Sequence, residues 1–299
     1  MFIFEDVTKT FKTDFWKKPE VVLDNLSFKV GEGMCTGFLG ANGAGKTTSL
    51  KILFRFINAD KGRIEFDKSL GNNWDQIKRN VGFLPERPYF YPELTGSEFI
   101  KYMLSLSGLK KENIEAQYKY YSEYLLIDHA LSKKLSTYSK GMLQRIGLLS
   151  CLLHNPRLII LDEPLSGLDP NGRKDIKNLM NSLKREGKTI FFSSHIVQDI
   201  EEVCREVVVI DHGKLKYNGE IDGIIDSQNS ENKYEVRFSE VILDTPEWLK
   251  ETSDTYCYEL DQRDHDQLLK WAHEKKVKID RFSKVRPTLE EIIYSGNYA

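Results

Sequence analysis

The sequence has no hydrophobic run long enough to cross a membrane. A transmembrane helix needs ~20 consecutive apolar residues, and the most apolar region, residues 146–161, is interrupted by the stretch His-Asn-Pro-Arg at 154–157. The N-terminus, MFIFEDVTKTF, lacks the basic segment and apolar core of a secretory signal. We therefore expect any role at a membrane to require a separate membrane-spanning partner.

Closely spaced cysteines and a strong excess of one charge are also missing. The four cysteines form no CxxC pair, which excludes the usual spacing of metal ligands. We interpret them as reduced thiols, with Cys35 and Cys151 as small core residues. The formal net charge of −2 provides no basic field for nucleic acid. A composition of 40% hydrophobic and 29% charged residues is typical of a folded globular protein.

A glycine-rich loop follows the first continuous apolar run. Residues 34–39 predict a short strand, residues 40–47 match GxxxxGK[ST], and the apolar spacing after them predicts a helix over about 47–56. The glycines allow consecutive N–H groups to face phosphate oxygens, and the helix adds its positive N-terminal end. Lys46 would supply a charge to the β and γ phosphates, and the Thr47 hydroxyl would ligate Mg²⁺. The loop residues predicted to bind ATP are Gly40, Ala41, Asn42, Gly43, Ala44, Gly45, Lys46, Thr47 and Thr48.

A second acidic site follows the apolar run Leu-Ile-Ile-Leu at 158–161. Asp162 and Glu163 come directly after this run. In P-loop ATPases an acidic residue at the end of a buried strand holds Mg²⁺. We therefore predict Asp162 as a metal ligand and Glu163 as the group that polarises the attacking water.

The order of elements predicts an α/β fold with a mostly parallel sheet. The apolar runs at 158–161, 189–193 and 207–210 are typical of buried parallel strands, and helical patterns lie between them near 172–186 and 197–203. Alternating apolar residues within 1–30 predict an antiparallel β subdomain.

A helical insert and a second domain are also predicted. Thr95 and Glu98 form the pattern of a capping box, which opens a helix inside an all-helical insert at about 88–150. Within that insert we expect a buried stripe of Tyr120, Tyr121, Tyr124 and Leu125. A polar segment at 226–232 predicts a linker, so the chain divides into a P-loop ATPase domain at 1–225 and a small α+β accessory domain at 226–299.

Three further motifs occur in a fixed order with the loop and the acidic site. Ser139-Lys-Gly-Met with Gln-Arg at 144–145, the run Asp-Glu-Pro-Leu-Ser-Gly-Leu-Asp-Pro at 162–170, and Ser-Ser-His195 resemble the nucleotide-binding subunit of ABC transporters. The resemblance covers roughly residues 1–225. It is greatest to bacterial exporter-type (ABC-2) ATPases that work with separate membrane subunits.

The resemblance implies a role for several side chains. Glu163 would be the catalytic base, and His195 would contact the γ-phosphate and orient the water. Phe11 falls where the family stacks an aromatic ring on adenine, although Trp16 or Phe15 is an alternative and Phe11 is otherwise a core residue.

The resemblance also implies a dimer and a membrane partner. Ser139 and Gly141 would approach the ATP bound by a second ATPase subunit, and Asp169 would lie at the seam. The partners would be a second copy or another ABC ATPase, and a separate integral membrane permease, with no nucleic acid. The chain would then lie in the cytoplasm, peripherally on the inner face of the membrane, and the process would be export.

Two positions depart from the family pattern. Tyr138-Ser-Lys-Gly-Met replaces the common Leu-Ser-Gly-Gly-Gln, and Lys140 is either a weak phosphate contact or a solvated charge. Glu86 stands where the family has glutamine, so it either ligates Mg²⁺ or points away. The stretch 87–91 lies where the family docks its membrane subunit, with a plain surface loop as the alternative.

Two other functional classes fit the sequence less well. A soluble ABC-type ATPase unlinked to transport usually has two such domains or a coiled coil, whereas this chain has one P-loop and no heptad run. A regulatory protein that binds ATP without hydrolysis would not need Lys46, Asp162, Glu163 and His195 together. The transported substrate is not encoded in these motifs.

Overall fold

The computed structural model describes residues 1–12, 16, 19–108, 114–227, 233–242, 245–252, 254–285 and 288–295 of the chain. Contacts divide the chain into two compact units, Met1–Ile221 and Asp222–Ala299. Within the described ranges, no helix has the length and apolar character to span a bilayer. The assignment of the second unit as an accessory domain stays a prediction.

A six-stranded sheet forms the centre of the first unit. Its strands are β3 (Cys35–Leu39), β5 (Val81–Leu84), β6 (Leu158–Leu161), β7 (Thr189–Ser194), β8 (Glu206–Asp211) and β9 (Lys214–Glu220), in the order β5-β6-β7-β3-β8-β9. The first five are parallel, and β9 pairs antiparallel with β8. Every residue of β3, β6 and β7 is buried, as expected for strands covered on both faces. The parallel α/β core predicted from the sequence is confirmed.

A three-stranded antiparallel sheet packs against this core. It contains β1 (Phe2–Phe11), β2 (Glu20–Val30) and β4 (Lys61–Phe66) in the order β2-β1-β4. Phe4 and Phe28 stack with their ring centroids 4.4 Å apart, and Phe28 lies 6.0 Å from Phe191 of β7. Aromatic packing thus fixes the sheet that carries β2 beside the glycine-rich loop. Residues 13–15 and 17–18, between β1 and β2, lie outside the described residues.

Helices connect the strands and form the insert. They are α1 (Lys46–Leu53), α2 (Trp74–Asn80), α3 (Gly96–Ser107), α4 (Glu115–Tyr124), α5 (Lys140–Leu152), α6 (Pro170–Arg185), α7 (Val197–Val203) and α8 (Ile221–Ser227). The predicted capping box is confirmed: Thr95 Oγ1 accepts from Glu98 N–H at 3.2 Å, and Glu98 Oε2 accepts from Thr95 N–H at 2.7 Å.

Two sequence-based expectations about helices were wrong in detail. Helix α1 ends at Leu53, earlier than expected, because Arg55 takes a left-handed backbone conformation with φ of 58°. In the insert, Tyr121 and Leu125 are buried, Tyr124 is half-buried, and Tyr120 is 46% exposed. Tyr120 packs instead on the rings of Tyr121 and Tyr124 at the surface.

The second unit is a four-stranded antiparallel sheet with helices. Its strands β10 (Lys233–Phe238), β11 (Lys250–Glu251), β12 (Cys257–Asp261) and β13 (Ile279–Lys284) follow the order β11-β12-β10-β13. Its helices are α8, apart from Ile221, with α9 (His265–Lys275) and α10 (Leu289–Ser295). Val236, Phe238, Tyr258, Leu260 and Leu268 form its core. The predicted small α+β architecture is confirmed, while most of the predicted linker lies outside the described residues.

Candidate functional site

The glycine-rich loop joins the carboxyl end of β3 to the first turn of α1. Gly43 and Gly45 have φ of 84° and 107°, a left-handed region that is strained for residues with a side chain. A Cβ at Gly45 would also lie 2.6 Å from Leu23 Cδ2 of β2. Glycine is therefore required here by conformation and by the close approach of β2. Gly45 is the residue before α1, so the loop runs directly into a helix N-terminus.

The side chain of Lys46 is folded into this loop. Its buried Nζ donates to the Gly40 carbonyl oxygen at 2.6 Å and to the Ala41 carbonyl oxygen at 3.4 Å. The same ammonium lies 3.4 Å from Glu163 Oε1. A buried cation is thus held at the mouth of the loop, paired with one carboxylate, where an anion would be attracted.

Asp162 lies at the carboxyl end of β6 and contacts two hydroxyl groups. Ser193 Oγ of β7 donates to Asp162 Oδ1 at 2.6 Å, and Thr47 Oγ1 of α1 donates to Oδ2 at 3.3 Å. Burial raises the pKa of Asp162; the hydroxyl contacts oppose this rise, and the carboxylates of Glu163 and Glu86 add to it. The carboxylates of Asp162, Glu163 and Glu86 are therefore close enough to interact, and their combined negative field favours a bound cation.

Glu163 is held by its backbone and by its side chain. Its φ of 50° is unusual for a residue with a side chain, and such a conformation costs roughly 1–2 kcal/mol. Its N–H donates to Ser193 Oγ at 2.8 Å, and its Oε2 lies 2.9 Å from Nδ1 of His195. Ser193 therefore links the two acidic residues: it accepts from the backbone of Glu163 and donates to the carboxylate of Asp162. Sequence reasoning gave Ser193 no role.

A cavity of about 530 Å³ opens at the glycine-rich loop. Its walls combine loop residues, two acidic residues, the predicted histidine and two residues of β2 that were not predicted, while Asp162 and Ser193 are not among the lining residues. Nearness of β2 to the loop depends on the packing of two sheets, and no local signal in the sequence encodes it. The lining residues are Glu20, Val22, Ala41, Asn42, Gly43, Gly45, Lys46, Thr47, Thr48, Glu86, Glu163, Ser166 and His195.

Of the predicted adenine-stacking residues, Phe11 and Trp16 are not among those that line this cavity. Phe11, 37% exposed, pairs with Glu20 at the end of the β1–β2 ladder, and Lys9 Nζ lies 5.4 Å from its ring centroid. It is therefore next to a cavity-lining residue but is not a core residue. Trp16 is 94% exposed, and Phe15 lies outside the described residues.

The motif residues Ser139, Gly141 and Asp169 also do not line the cavity. Ser139 is the N-cap of α5, where its Oγ accepts from Met142 N–H at 3.2 Å. Asp169 is the N-cap of α6, where its Oδ1 accepts from Gly172 N–H at 3.1 Å. Both caps are local interactions that fix where each helix begins.

Two contacts connect the Ser139 helix to the segment after Glu163. Gln144 Nε2 of α5 donates to the Pro164 carbonyl oxygen at 2.9 Å. Lys140 extends over Gly167, where an added Cβ would lie 2.0 Å from its Nζ. Lys140 therefore packs on its own chain, while Glu86 lines the cavity with its Oε1 3.6 Å from Arg87 Nε.

Oxygen atoms in and directly beside this cavity fit a magnesium ion that accompanies a phosphate ligand. Among the described residues, no group of three or more histidine, cysteine, aspartate or glutamate side chains is placed to hold a metal alone. Mg²⁺ in phosphate-transfer sites takes one or two carboxylates and completes its shell with water and phosphate oxygens. The Thr47 hydroxyl and the Asp162 carboxylate, 3.3 Å apart, meet this requirement.

A larger depression of about 820 Å³ lies in the second unit. Its lining includes Tyr234, Arg263, His265, Asp266 and Phe282. It has neither a glycine-rich loop nor a buried cation, so the smaller cavity is the candidate site.

Comparisons with known proteins find relatives within one family. A family model described as ABC transporter matches residues 23–166. An uncharacterised ABC transporter ATP-binding protein of Synechocystis is 40% identical over 235 residues, covering 77% of this chain and 65% of the relative. The uncharacterised ABC transporter ATP-binding protein YhaQ of Bacillus subtilis is 32% identical over 297 residues, which cover 98% of this chain and 97% of YhaQ. The bacitracin transport ATP-binding protein BcrA of Bacillus licheniformis is 40% identical over 195 residues, which cover 64% of this chain and 63% of BcrA.

Solved structures share the fold of most of the chain. The ATP-binding subunit of an ABC transporter has a TM-score of 0.66 and 27% identity, covering 76% of this chain and 92% of that one. A dimeric ATP-binding cassette in a post-hydrolysis state bound to ADP and Pi has a TM-score of 0.65 and 21% identity. The match covers 74% of this chain and 98% of that one.

Proposed function

The chain belongs to the family of ABC transporter ATP-binding proteins, and from this premise we propose that it binds ATP with Mg²⁺ and hydrolyses it to drive a separate membrane subunit. The observation that carries the proposal is the convergence of Lys46, Glu163 and His195 beside the glycine-rich loop. A buried cation, a carboxylate and an imidazole are the groups that phosphoryl transfer to water needs.

Phosphate binding is assigned to the loop and Lys46. The Lys46 ammonium makes two contacts with loop carbonyl oxygens and one with Glu163. Phosphate oxygens would compete for this ammonium as stronger acceptors, because charge-assisted hydrogen bonds exceed neutral ones. The pairing of Lys46 with Glu163 would then weaken as nucleotide binds.

The Mg²⁺ that accompanies ATP is assigned to Thr47, Asp162 and Glu86. The metal would neutralise charge on the β and γ phosphates. Ser193 holds the Asp162 carboxylate in position. The side chain of Glu86 is less constrained than that of Asp162, because it is exposed and its Oε1 lies 3.6 Å from Nε of the exposed Arg87.

Glu163 is the proposed catalytic base and His195 its positioning and charge-stabilising partner. The hydrogen bond of 2.9 Å between His195 and Glu163 orients one carboxylate oxygen. Once phosphate takes over Lys46, the other oxygen is free to accept a proton from water. A positioned base contributes ~10²–10⁴ in rate.

We place Ser139, Gly141 and Asp169 at the interface of a head-to-tail dimer, either a homodimer or a heterodimer with another ABC ATPase. Their positions outside the cavity of their own chain support this assignment. The N-terminus of α5 would present N–H groups to the phosphates of the partner. The dimeric neighbour with the same fold also supports it.

We further propose export as the process and a peripheral position on the inner face of the cell membrane. The name of BcrA, a bacitracin transport protein, supports transport, and its substrate is not transferred to this chain. Tyr89, at the surface beyond β5, is 80% exposed and lies in the segment 87–91 that would contact the permease.

The test of ATP binding is a matched pair of lysine substitutions in α1. Lys46→Ala should abolish binding of a fluorescent ATP analogue and phosphate release, whereas Lys51→Ala, at an exposed position five residues later, should leave both unchanged. Equal activity of the two variants would contradict the assignment of the loop.

A second experiment tests the membrane partner. If the chain is recovered with membranes only when the membrane protein of a neighbouring reading frame is co-expressed, that result supports a permease partner over an ATPase unlinked to transport.

A further inference from the structure

Two cysteine sulfurs lie against each other at the start of β3. Sγ of Cys35 and Sγ of Cys204 are 3.5 Å apart, although the residues are 169 positions apart in sequence. Cys35 is the first residue of β3, and Cys204 directly follows α7. Both thiols are free, and neither has a part in the proposed hydrolysis.

The backbone holds the two thiols together. Arg205 N–H donates to the Cys35 carbonyl oxygen at 3.3 Å, and Thr36 pairs with Glu206 in the parallel β3–β8 register. A disulfide has an S–S length of ~2.05 Å, so the sulfurs need to approach by ~1.5 Å. Cys204 ends its helix in an extended conformation with φ of −92° and ψ of 154°, so its side chain is not constrained by a continuing helix.

The surroundings distinguish Cys204 from Cys35. Cys35 is almost fully buried, whereas Cys204 is half-buried. An oxidant can therefore reach the sulfur of Cys204 more easily than that of Cys35. Burial raises the pKa of the Cys204 thiol, contact with Cys35 raises it further, and the Lys184 ammonium opposes the rise. Oxidation of the Cys204 thiol at neutral pH is therefore slow, and the adjacent Cys35 thiol reacts with the oxidised sulfur.

We propose that Cys35 and Cys204 form an oxidative modification site at which a peroxide closes an intramolecular disulfide. The Cys204 thiolate attacks one peroxide oxygen, the O–O bond breaks, and sulfur is oxidised to a sulfenic acid with release of hydroxide. The Cys35 thiol then attacks the sulfenic sulfur, an S–S bond forms, and water leaves. A dithiol reductant reverses the product by thiol–disulfide exchange.

The disulfide would join two segments that lead into the candidate site. The far end of β3 continues into Gly40 of the loop, and α7 begins two residues after His195. Resting on the proposed function, we infer that closure restrains α7 and slows hydrolysis while ATP still binds.

The experiment exposes the intact protein to hydrogen peroxide, blocks remaining thiols by alkylation, digests without reductant and identifies linked peptides by mass. A single species that joins the Cys35 and Cys204 peptides, lower in mass by two hydrogens and cleaved by dithiothreitol, is expected. The variant Cys204→Ala should lose it. The matched controls Cys151→Ala and Cys257→Ala should keep it, because neither residue contributes a sulfur to the contact between Cys35 and Cys204.

Peptide mapping needs no ATPase activity, so it is independent of the proposed function. Free thiols at both positions after oxidation, or a stable sulfinic acid at Cys204 without a linkage, would overturn the site. If the cross-linked protein hydrolyses ATP as fast as the reduced protein, the inferred effect on α7 is wrong. A loss of turnover that dithiothreitol restores supports it.

Discussion

A buried ion pair between α6 and α7 provides a stability prediction that can be worked out from the structure. Arg173 Nη2 donates to both carboxylate oxygens of Asp199, at 2.6 and 2.7 Å, and Lys177 Nζ lies 3.0 Å from the same carboxylate. The side chain of Asp199 is 2% exposed. These two helices begin just after Asp169 and His195, so the pair connects two predicted motif segments.

Asp199→Asn keeps the shape of the side chain but removes the charge. Loss of one partner from a buried pair costs about 3–5 kcal/mol when the remaining charge is fully buried. Arg173 is 27% exposed and Lys177 is 13% exposed, so water compensates in part. Lys177 also keeps Glu202, 2.7 Å away. Burial disfavours the Lys177 ammonium, but the hydrogen bonds that it donates to Glu202 and Asp199 raise its pKa. We therefore expect a loss of about 2–3 kcal/mol in the free energy of unfolding, below the fully buried range.

Thermal and urea unfolding followed by circular dichroism measure this loss. For a unit of this size each kcal/mol lowers the melting temperature by about 2–4 °C, which predicts a drop of about 4–12 °C. Glu202→Gln is the matched control, because it removes the exposed end of the same cluster and should cost less than about 1 kcal/mol. Equal melting temperatures for Asp199→Asn and the parent would refute the reasoning.

Three other predictions concern the loop, a helix cap and acid stability. Gly45→Ala should lower the free energy of unfolding by about 1–3 kcal/mol in urea and weaken ATP binding, because φ is 107° and Leu23 Cδ2 would lie 2.6 Å from the new methyl group. Gly43→Ala, strained but not crowded, is the control in the same unfolding assay and should lose less stability. Thr95→Ala should cost about 0.5–2 kcal/mol in urea unfolding, because it removes the acceptor for Glu98 N–H. Burial lowers the pKa of His154, while a contact with the Val81 carbonyl opposes this. The unfolded chain therefore takes up a proton first, so stability is retained above about pH 6.5 and falls on acidification below it; urea midpoints at pH 7.5 and 5.5 should differ less in His154→Gln than in the parent.

Local patterns carried most of what the sequence predicted correctly. The strand at 158–161 was predicted to the residue, because a continuous apolar run lies between Pro156 on one side and Asp162 on the other. The Thr95 capping box and the loop before α1 also depend on residues only a few positions apart. In each case the interacting groups are neighbours in the chain, so their spacing contains the information.

The spacing of residues in the sequence did not predict contacts between distant segments of the chain. The bridging role of Ser193 follows from β7 lying beside β6, and the closeness of Cys35 and Cys204 follows from β3 lying beside β8. The exposure of Tyr120 depends on the rotation of α4 against its neighbours. Sheet order and helix rotation are decided by packing over the whole unit, which a pattern of spacings does not specify.

The central claim is that Glu163 is the base of an ATP hydrolysis site built on the glycine-rich loop. The direct measurement is phosphate release by Glu163→Gln at saturating ATP, with nucleotide binding and dimer formation followed in the same sample. We predict unchanged ATP binding, a stable ATP-bound dimer and turnover lower by ~10²–10⁴, equivalent to ~3–5 kcal/mol. Phosphate release at the rate of the parent would contradict the account.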